Sequence, residues 1–157
     1  SSTILMITGK PYLARIKNTT PKTYKSGCRG PHCKGCHNPE TWEFNQGTSW
    51  KDYKQSVFDK IRDFDELIDR IEVFGGEPFD DPYSEILEFL QDLHSTGKEV
   101  WVYTRYNLES IHPVLRHLCD YIKCGRYEEE LKCSNNIQYG ITLATSNQQI
   151  YKRGIDY

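Results

Sequence analysis

Three cysteines crowd into nine residues of this chain, Cys28, Cys33 and Cys36, with the spacing C-x4-C-x2-C. They lie in Gly27-Cys28-Arg29-Gly30-Pro31-His32-Cys33-Lys34-Gly35-Cys36-His37-Asn38, a stretch whose glycines and proline favour turns over a helix. Thiolates on such a loop can wrap a metal centre. A cubic iron–sulfur cluster normally takes four of them, so a local set of three leaves one iron open to a further ligand, which suits catalysis better than electron storage. Two other chemistries compete. Zinc takes four N or S ligands in a tetrahedron, and the three cysteines with His32 or His37 could supply them. Cys33–His37 also matches the C-x-x-C-H haem-attachment pattern, although Met6 is the one methionine available as an axial ligand. On the cysteines alone, zinc and iron–sulfur stand level.

A second motif follows a predicted strand: Phe74-Gly75-Gly76-Glu77-Pro78. Paired glycines let the backbone turn tightly and approach a ligand closely, because no Cβ intervenes. Glu77 then brings a carboxylate that could hold a cationic amine.

These two motifs, in this order, resemble the radical S-adenosylmethionine (SAM) enzymes. Within that superfamily, Cys36-His37-Asn38-Pro39-Glu40-Thr41-Trp42 is similar to the stretch after the third cysteine of the glycyl-radical activating enzymes. Val102–Tyr106, Gly125–Leu131 and Thr145–Ile150 resemble segments of the anaerobic ribonucleotide reductase activating proteins. The resemblance implies a [4Fe–4S] cluster on Cys28, Cys33 and Cys36, its open iron chelating the amino and carboxylate groups of SAM. It implies reductive cleavage of SAM to methionine and a 5′-deoxyadenosyl radical, used to take a hydrogen atom from a glycine of the reductase large subunit. A flavodoxin- or ferredoxin-type protein would supply the electron. By the same resemblance, Gly75, Gly76, Glu77 and Pro78 would cradle the methionine amine and Thr104 would contribute from the next strand end. The backbone of Gly35 and His37 would lie along the adenine, with Asn38 behind it. The chain departs from the family by one extra residue between Cys28 and Cys33, and by Arg105 where Gly usually follows the Thr.

The remaining sequence must position these groups. Two short strands are expected at Ile4–Thr8 and Tyr12–Ile16, then a polar cluster loop over about 17–40. Ser49 is placed to cap a helix running to about Arg62. Ile71–Phe74 reads as a buried strand. Pro82 introduces a helix with Ile86, Leu87, Phe89, Leu90 and Leu93 on one face, and Gly97 ends it. Val100–Thr104 is the next strand, Leu108–Leu118 a helix interrupted by Pro113, and Tyr121–Lys123 and Tyr139–Leu143 shorter strands. Strands alternating with helices predict parallel βαβ units in an α/β fold, with ligands at the carboxyl ends of the strands. The resembling family implies more: one domain over residues 1–157, built as an incomplete parallel βα barrel.

Composition bounds the rest. The chain has 157 residues, 37% of them apolar, and a mean hydropathy of -0.71. The 20 aromatic residues (11 Tyr, six Phe, three Trp) offset that polarity, since each ring buries a large area. No apolar run reaches the roughly 18 residues of a membrane span, and Ser1–Thr8 lacks the basic start of a signal peptide. A reducing, cytoplasmic setting is therefore expected, in which clustered cysteines bind metal sooner than they pair as disulfides. Seven of the 20 basic residues fall in Ser1–Pro39, where there is no acid, leaving 13 against all 22 acids downstream. That basic segment suits an anionic metal site or an acidic partner, and equally a solvated basic loop; the slightly acidic whole, net charge -2, disfavours nucleic acid. Cys119, Cys124 and Cys133 are expected to be free thiols. His94, His112 and His117 are expected to pack or face solvent, and the run Glu128-Glu129-Glu130 to form a solvated face.

Overall fold

The structure, a computed structural model, describes residues 4–8, 13–16, 50–74 and 77–157. Strands β1 (Ile4–Thr8) and β2 (Leu13–Ile16) form an antiparallel pair. Helix α1 (Trp50–Asp63) leads to β3 (Arg70–Phe74), α2 (Tyr83–His94) and β4 (Glu99–Tyr103). A short helix α3 (Pro113–His117) and β5 (Tyr121–Cys124) follow. The chain then makes a hairpin of β6 (Lys132–Gln138) and β7 (Ile141–Thr145) and ends with β8 (Gln149–Lys152). Six strands join one sheet in the order β2-β1-β3-β4-β5-β8, while β6 and β7 pair separately.

The centre of the sheet is parallel, β3 with β4 and β4 with β5, as two successive βαβ units require. Its flanks are antiparallel, β1 against β3 and β8 against β5. The fold is thus mixed α/β, with the expected parallel units confined to the middle strands. β8 follows β7 after a turn of three residues and runs antiparallel to β5 at the edge of the larger sheet.

Alternation in β3 and β4 decides which face meets the helices. Ile71, Val73, Val100 and Val102 are wholly buried and join Val57 and Ile61 of α1, Leu115 of α3 and the apolar stripe of α2 in the main core. That stripe is the predicted one: Ile86, Phe89, Leu90 and Leu93 are buried, with Leu87 packed at its margin. Burying a side chain of this size stabilises the fold by roughly 1.5–3 kcal/mol, so α2 is fixed against β3 and β4. Trp50 of α1 meets Phe89 edge-on at 4.7 Å, and its indole N–H donates to Asp92 at 2.8 Å. Ser49 lies outside the described residues, but the helix it was expected to cap starts at the next residue. Gly97 takes φ +76°, and its amide donates to the His94 carbonyl, closing α2 where the sequence predicts.

On the opposite face Trp101, Tyr121, Leu143 and Ile150 form a smaller core, flanked by Tyr103 and Ile141. Trp101 and Tyr121 stack at 3.9 Å, and the guanidinium of Arg70 lies 4.5 Å over the Trp101 ring. Trp101 and Tyr103, two residues apart on β4, both belong here.

Two element boundaries are corrected. The helix expected over Leu108–Leu118 is interrupted at Pro113 as the sequence predicts, but the part before the break is only a 3-10 turn at Leu108–Ser110, and α3 begins at the proline itself. Proline disfavours a helical conformation in the residue before it, and His112 is accordingly extended, at φ -55° and ψ 133°. Its Nδ1 instead accepts from the Val114 amide at 3.2 Å, capping the new helix. The strand predicted at Tyr139–Leu143 begins at Ile141, because Tyr139 and Gly140 both take positive φ, 48° and 78°, in the hairpin turn. Strands β6 and β8 were not anticipated: β6 is exposed or half-buried throughout and carries no apolar alternation.

Candidate functional site

The two parallel strands that carry the motif residues are neighbours, so their carboxyl ends lie side by side. Glu77 follows the end of β3 and Thr104 the end of β4. Although 27 residues apart, they meet: the Thr104 hydroxyl lies 2.8 Å from each carboxylate oxygen of Glu77. The Arg105 amide donates to Oε1 at 2.8 Å, and the Phe79 amide to Oε2 at 3.2 Å. The Phe79 bond caps the 3-10 turn Pro78–Asp80, in which the proline takes the first position and needs no donor.

Glu77 is 2% exposed. Burial pushes its carboxyl up to about 7, against the Arg105, Thr104 and Phe79 donors, which favour the charged form. The carboxylate is therefore held near its point of ionisation at neutral pH. Strongly perturbed carboxyls of this kind cluster at functional sites.

Asp80 closes the turn, and it reaches the same loop from the other side. The Arg105 Nη2 donates to Asp80 Oδ2 at 3.0 Å and to the Tyr106 hydroxyl at 3.2 Å, and that hydroxyl donates to Asp80 Oδ1. The guanidinium Nε stands 3.8 Å from Glu77 Oε1. Thr104 in turn accepts from the Tyr106 amide at 3.1 Å. Neither Asp80 nor the ion pair it makes was singled out from the sequence. The available signal was Arg105 itself, a charge in a position where the resembling family carries Gly.

Beside this network a cleft of about 490 Å³ opens at the ends of β4 and β5. Arg105, Tyr106 and Asn107 line one wall, Gly125, Arg126 and Glu128 another, and Asn147 closes it. Its walls are tied together: Gly125 donates to the Tyr106 carbonyl, and Asn147 to that of Arg126 at 2.9 Å.

Of the residues singled out from the sequence, Glu77, Pro78 and Thr104 come together at the strand ends. Cys28, Cys33, Cys36, Gly35, His37, Asn38, Gly75 and Gly76 lie outside the described residues. Cys119, Cys124 and Cys133 are free thiols, as expected. Burial raises the Cys119 thiol and pushes Cys124 up to about 12, which keeps both protonated. Among the described residues no group of three or more His, Cys, Asp or Glu side chains is placed to hold a metal ion.

Comparison with known proteins adds a family to this geometry. The model of the 4Fe-4S single cluster domain matches residues 19–151, a span that takes in the cysteine loop, Glu77 and Thr104. The chain is 28% identical to the anaerobic ribonucleoside-triphosphate reductase-activating protein of Salmonella typhimurium, over 82% of this chain and 84% of that one. It is 27% identical to the protein of the same name from Escherichia coli K12, with the same coverage. A third, from Haemophilus influenzae, is 29% identical over 63% of this chain. No solved structure matches. These relatives bear out the resemblance to the activating proteins read from the motifs, and with the family model covering most of its length the chain belongs to the 4Fe-4S single cluster domain family.

Proposed function

We propose that this chain is a radical SAM enzyme that generates a glycyl radical on an anaerobic ribonucleotide reductase. Glu77 and Thr104 carry the reading: two motif residues far apart in sequence share one buried site at the carboxyl ends of adjacent parallel strands, where α/β proteins hold ligands. The family membership and the activating-protein relatives support it from a separate direction.

In this reading Cys28, Cys33 and Cys36 hold a [4Fe–4S] cluster, and a set of three thiolates fits a cluster that keeps one iron for SAM. When bound, the cluster supplies the electron that splits the SAM sulfonium into methionine and a 5′-deoxyadenosyl radical, which becomes 5′-deoxyadenosine on taking a hydrogen atom from the partner's glycine. The chain's own residues bind and orient. The buried Glu77 carboxylate attracts the cationic amine of SAM, with Thr104 fixing its direction, and Gly75, Gly76 and Pro78 would complete the amine's cradle. Gly35 and His37 would contact the adenine, with Asn38 in support, as in the family the chain resembles. Residues 1–157 form one radical SAM-type domain, a partial βα barrel whose open side admits the glycine loop of the reductase large subunit. A flavodoxin- or ferredoxin-type reductant serves it in the cytoplasm.

Anaerobic reconstitution followed by analysis for 5′-deoxyadenosine tests the chemistry. Iron and sulfide with product formation support it; zinc as the bound metal, or no product from an iron-loaded protein, overturns it. A glycyl-radical signal on the reductase that arises without this chain overturns the choice of partner.

A further inference from the structure

Arg105 has two carboxylates within reach. Its side chain is 10% exposed and lies between Asp80, at 3.0 Å from Nη2, and Glu77, at 3.8 Å from Nε. A guanidinium this deeply buried needs a paired anion, and the shorter, hydrogen-bonded contact is the one to Asp80. Tyr106 reinforces that choice, since its hydroxyl donates to Asp80 and accepts from the same Nη2. The two acids divide the loop between them. Glu77 takes the Thr104 hydroxyl and the Arg105 amide, while Asp80 takes the Arg105 and Tyr106 side chains.

From this division we infer that Asp80 is a positioning residue, which draws the Arg105 guanidinium away from Glu77 and so leaves the Glu77 carboxylate to a cationic amine ligand. The inference rests on the reading of the site as one for SAM. With the charge of Asp80 removed, the nearest anion to the guanidinium among the described residues is Glu77, 3.8 Å from Nε, and an arginine seated there competes with an incoming ammonium for the same oxygens.

Two measurements on Asp80→Asn test this. In the protein without cluster or SAM, carbon NMR titration of the Glu77 carboxyl should show its pKa falling by about one unit or more as the guanidinium arrives. The double variant Asp80→Asn/Arg105→Gln should reverse that fall. In the reconstituted protein, SAM binding by Asp80→Asn should weaken about tenfold, the effect of misplacing one charge-assisted contact. The double variant should bind within about threefold of the parent protein, because the competitor is gone. A purely structural Asp80 predicts the opposite, a double variant no better than the single. Asp80→Ser, also uncharged, serves as the second variant if Asp80→Asn does not fold. An unmoved Glu77 titration, or a double variant that stays weak, overturns the inference. Parent protein that binds no SAM at all overturns the proposed function instead, and the titration then decides the role of Asp80 by itself.

Discussion

The hydroxyl of Thr104 sits 2.8 Å from both oxygens of the Glu77 carboxylate, joining the ends of β3 and β4 across 27 residues of sequence. Neither residue could be placed against the other by a local pattern. Their contact is made by the parallel pairing of the strands that carry them, Ile71 with Val100 and Val73 with Val102.

The raised carboxyl of Glu77 makes stability depend on pH. Its value in the fold, about 7, lies above the ordinary 4.5, so the fold binds the proton more tightly than the unfolded chain does. Its contribution is complete below about pH 4.5 and is lost as pH rises through 7. Glu77→Gln cannot titrate. The stability of the parent relative to this variant should therefore fall with rising pH, by up to about 3 kcal/mol across that window. Urea denaturation of both proteins at several pH values measures it; a constant difference would contradict the assignment.

Thr104→Val removes the hydroxyl and keeps the shape. It leaves a buried carboxylate short of a donor, and the Tyr106 amide short of an acceptor. The expected cost is about 1–3 kcal/mol, seen as a lower urea midpoint with unchanged slope. Thr104→Ser should recover most of it.

The six cysteines divide into two sets with opposite outcomes. Cys28→Ala, Cys33→Ala and Cys36→Ala should each prevent cluster assembly and abolish 5′-deoxyadenosine formation. Cys119→Ala and Cys133→Ser should retain the iron content of the parent after reconstitution. The first of these replaces a wholly buried thiol that donates to the Leu115 carbonyl, so it should lower stability while sparing the metal. Iron and sulfide assays read both sets.

Gly125 cannot be replaced without strain. It takes φ +104°, and an added Cβ would stand 3.3 Å from the Gln148 Cα. Gly125→Ala should destabilise the fold, its strain outweighing the roughly 1 kcal/mol that a less flexible unfolded chain would otherwise contribute to stability, and it should disturb the cleft that Gly125 and Asn147 line. A thermal melt within a degree of the parent would show that the backbone there is free to relax.

Periodicity decided the interior elements correctly. The stripe Ile86, Phe89, Leu90, Leu93 and the alternation of Val100, Trp101 and Val102 each reflect a burial pattern of fixed period. The failures share a cause. Strands β6 and β8 are held by pairing and by side-chain amides, among them Asn136 donating to the Thr145 and Gln148 carbonyls. Polar strands of this kind show no apolar repeat.

Sequence alone determined the chemistry on offer: three clustered thiols, a glycine-paired strand end with a carboxylate, and a family in which such parts occur together. These are matters of residue type and spacing, which the chain carries without folding. Tertiary structure decided which charges meet. Asp80 and Arg105 lie 25 residues apart and face each other at 3.0 Å only because the turns after β3 and β4 emerge at the same edge of the sheet. Electrostatic interaction depends on separation and burial, and neither quantity exists until the strands have paired.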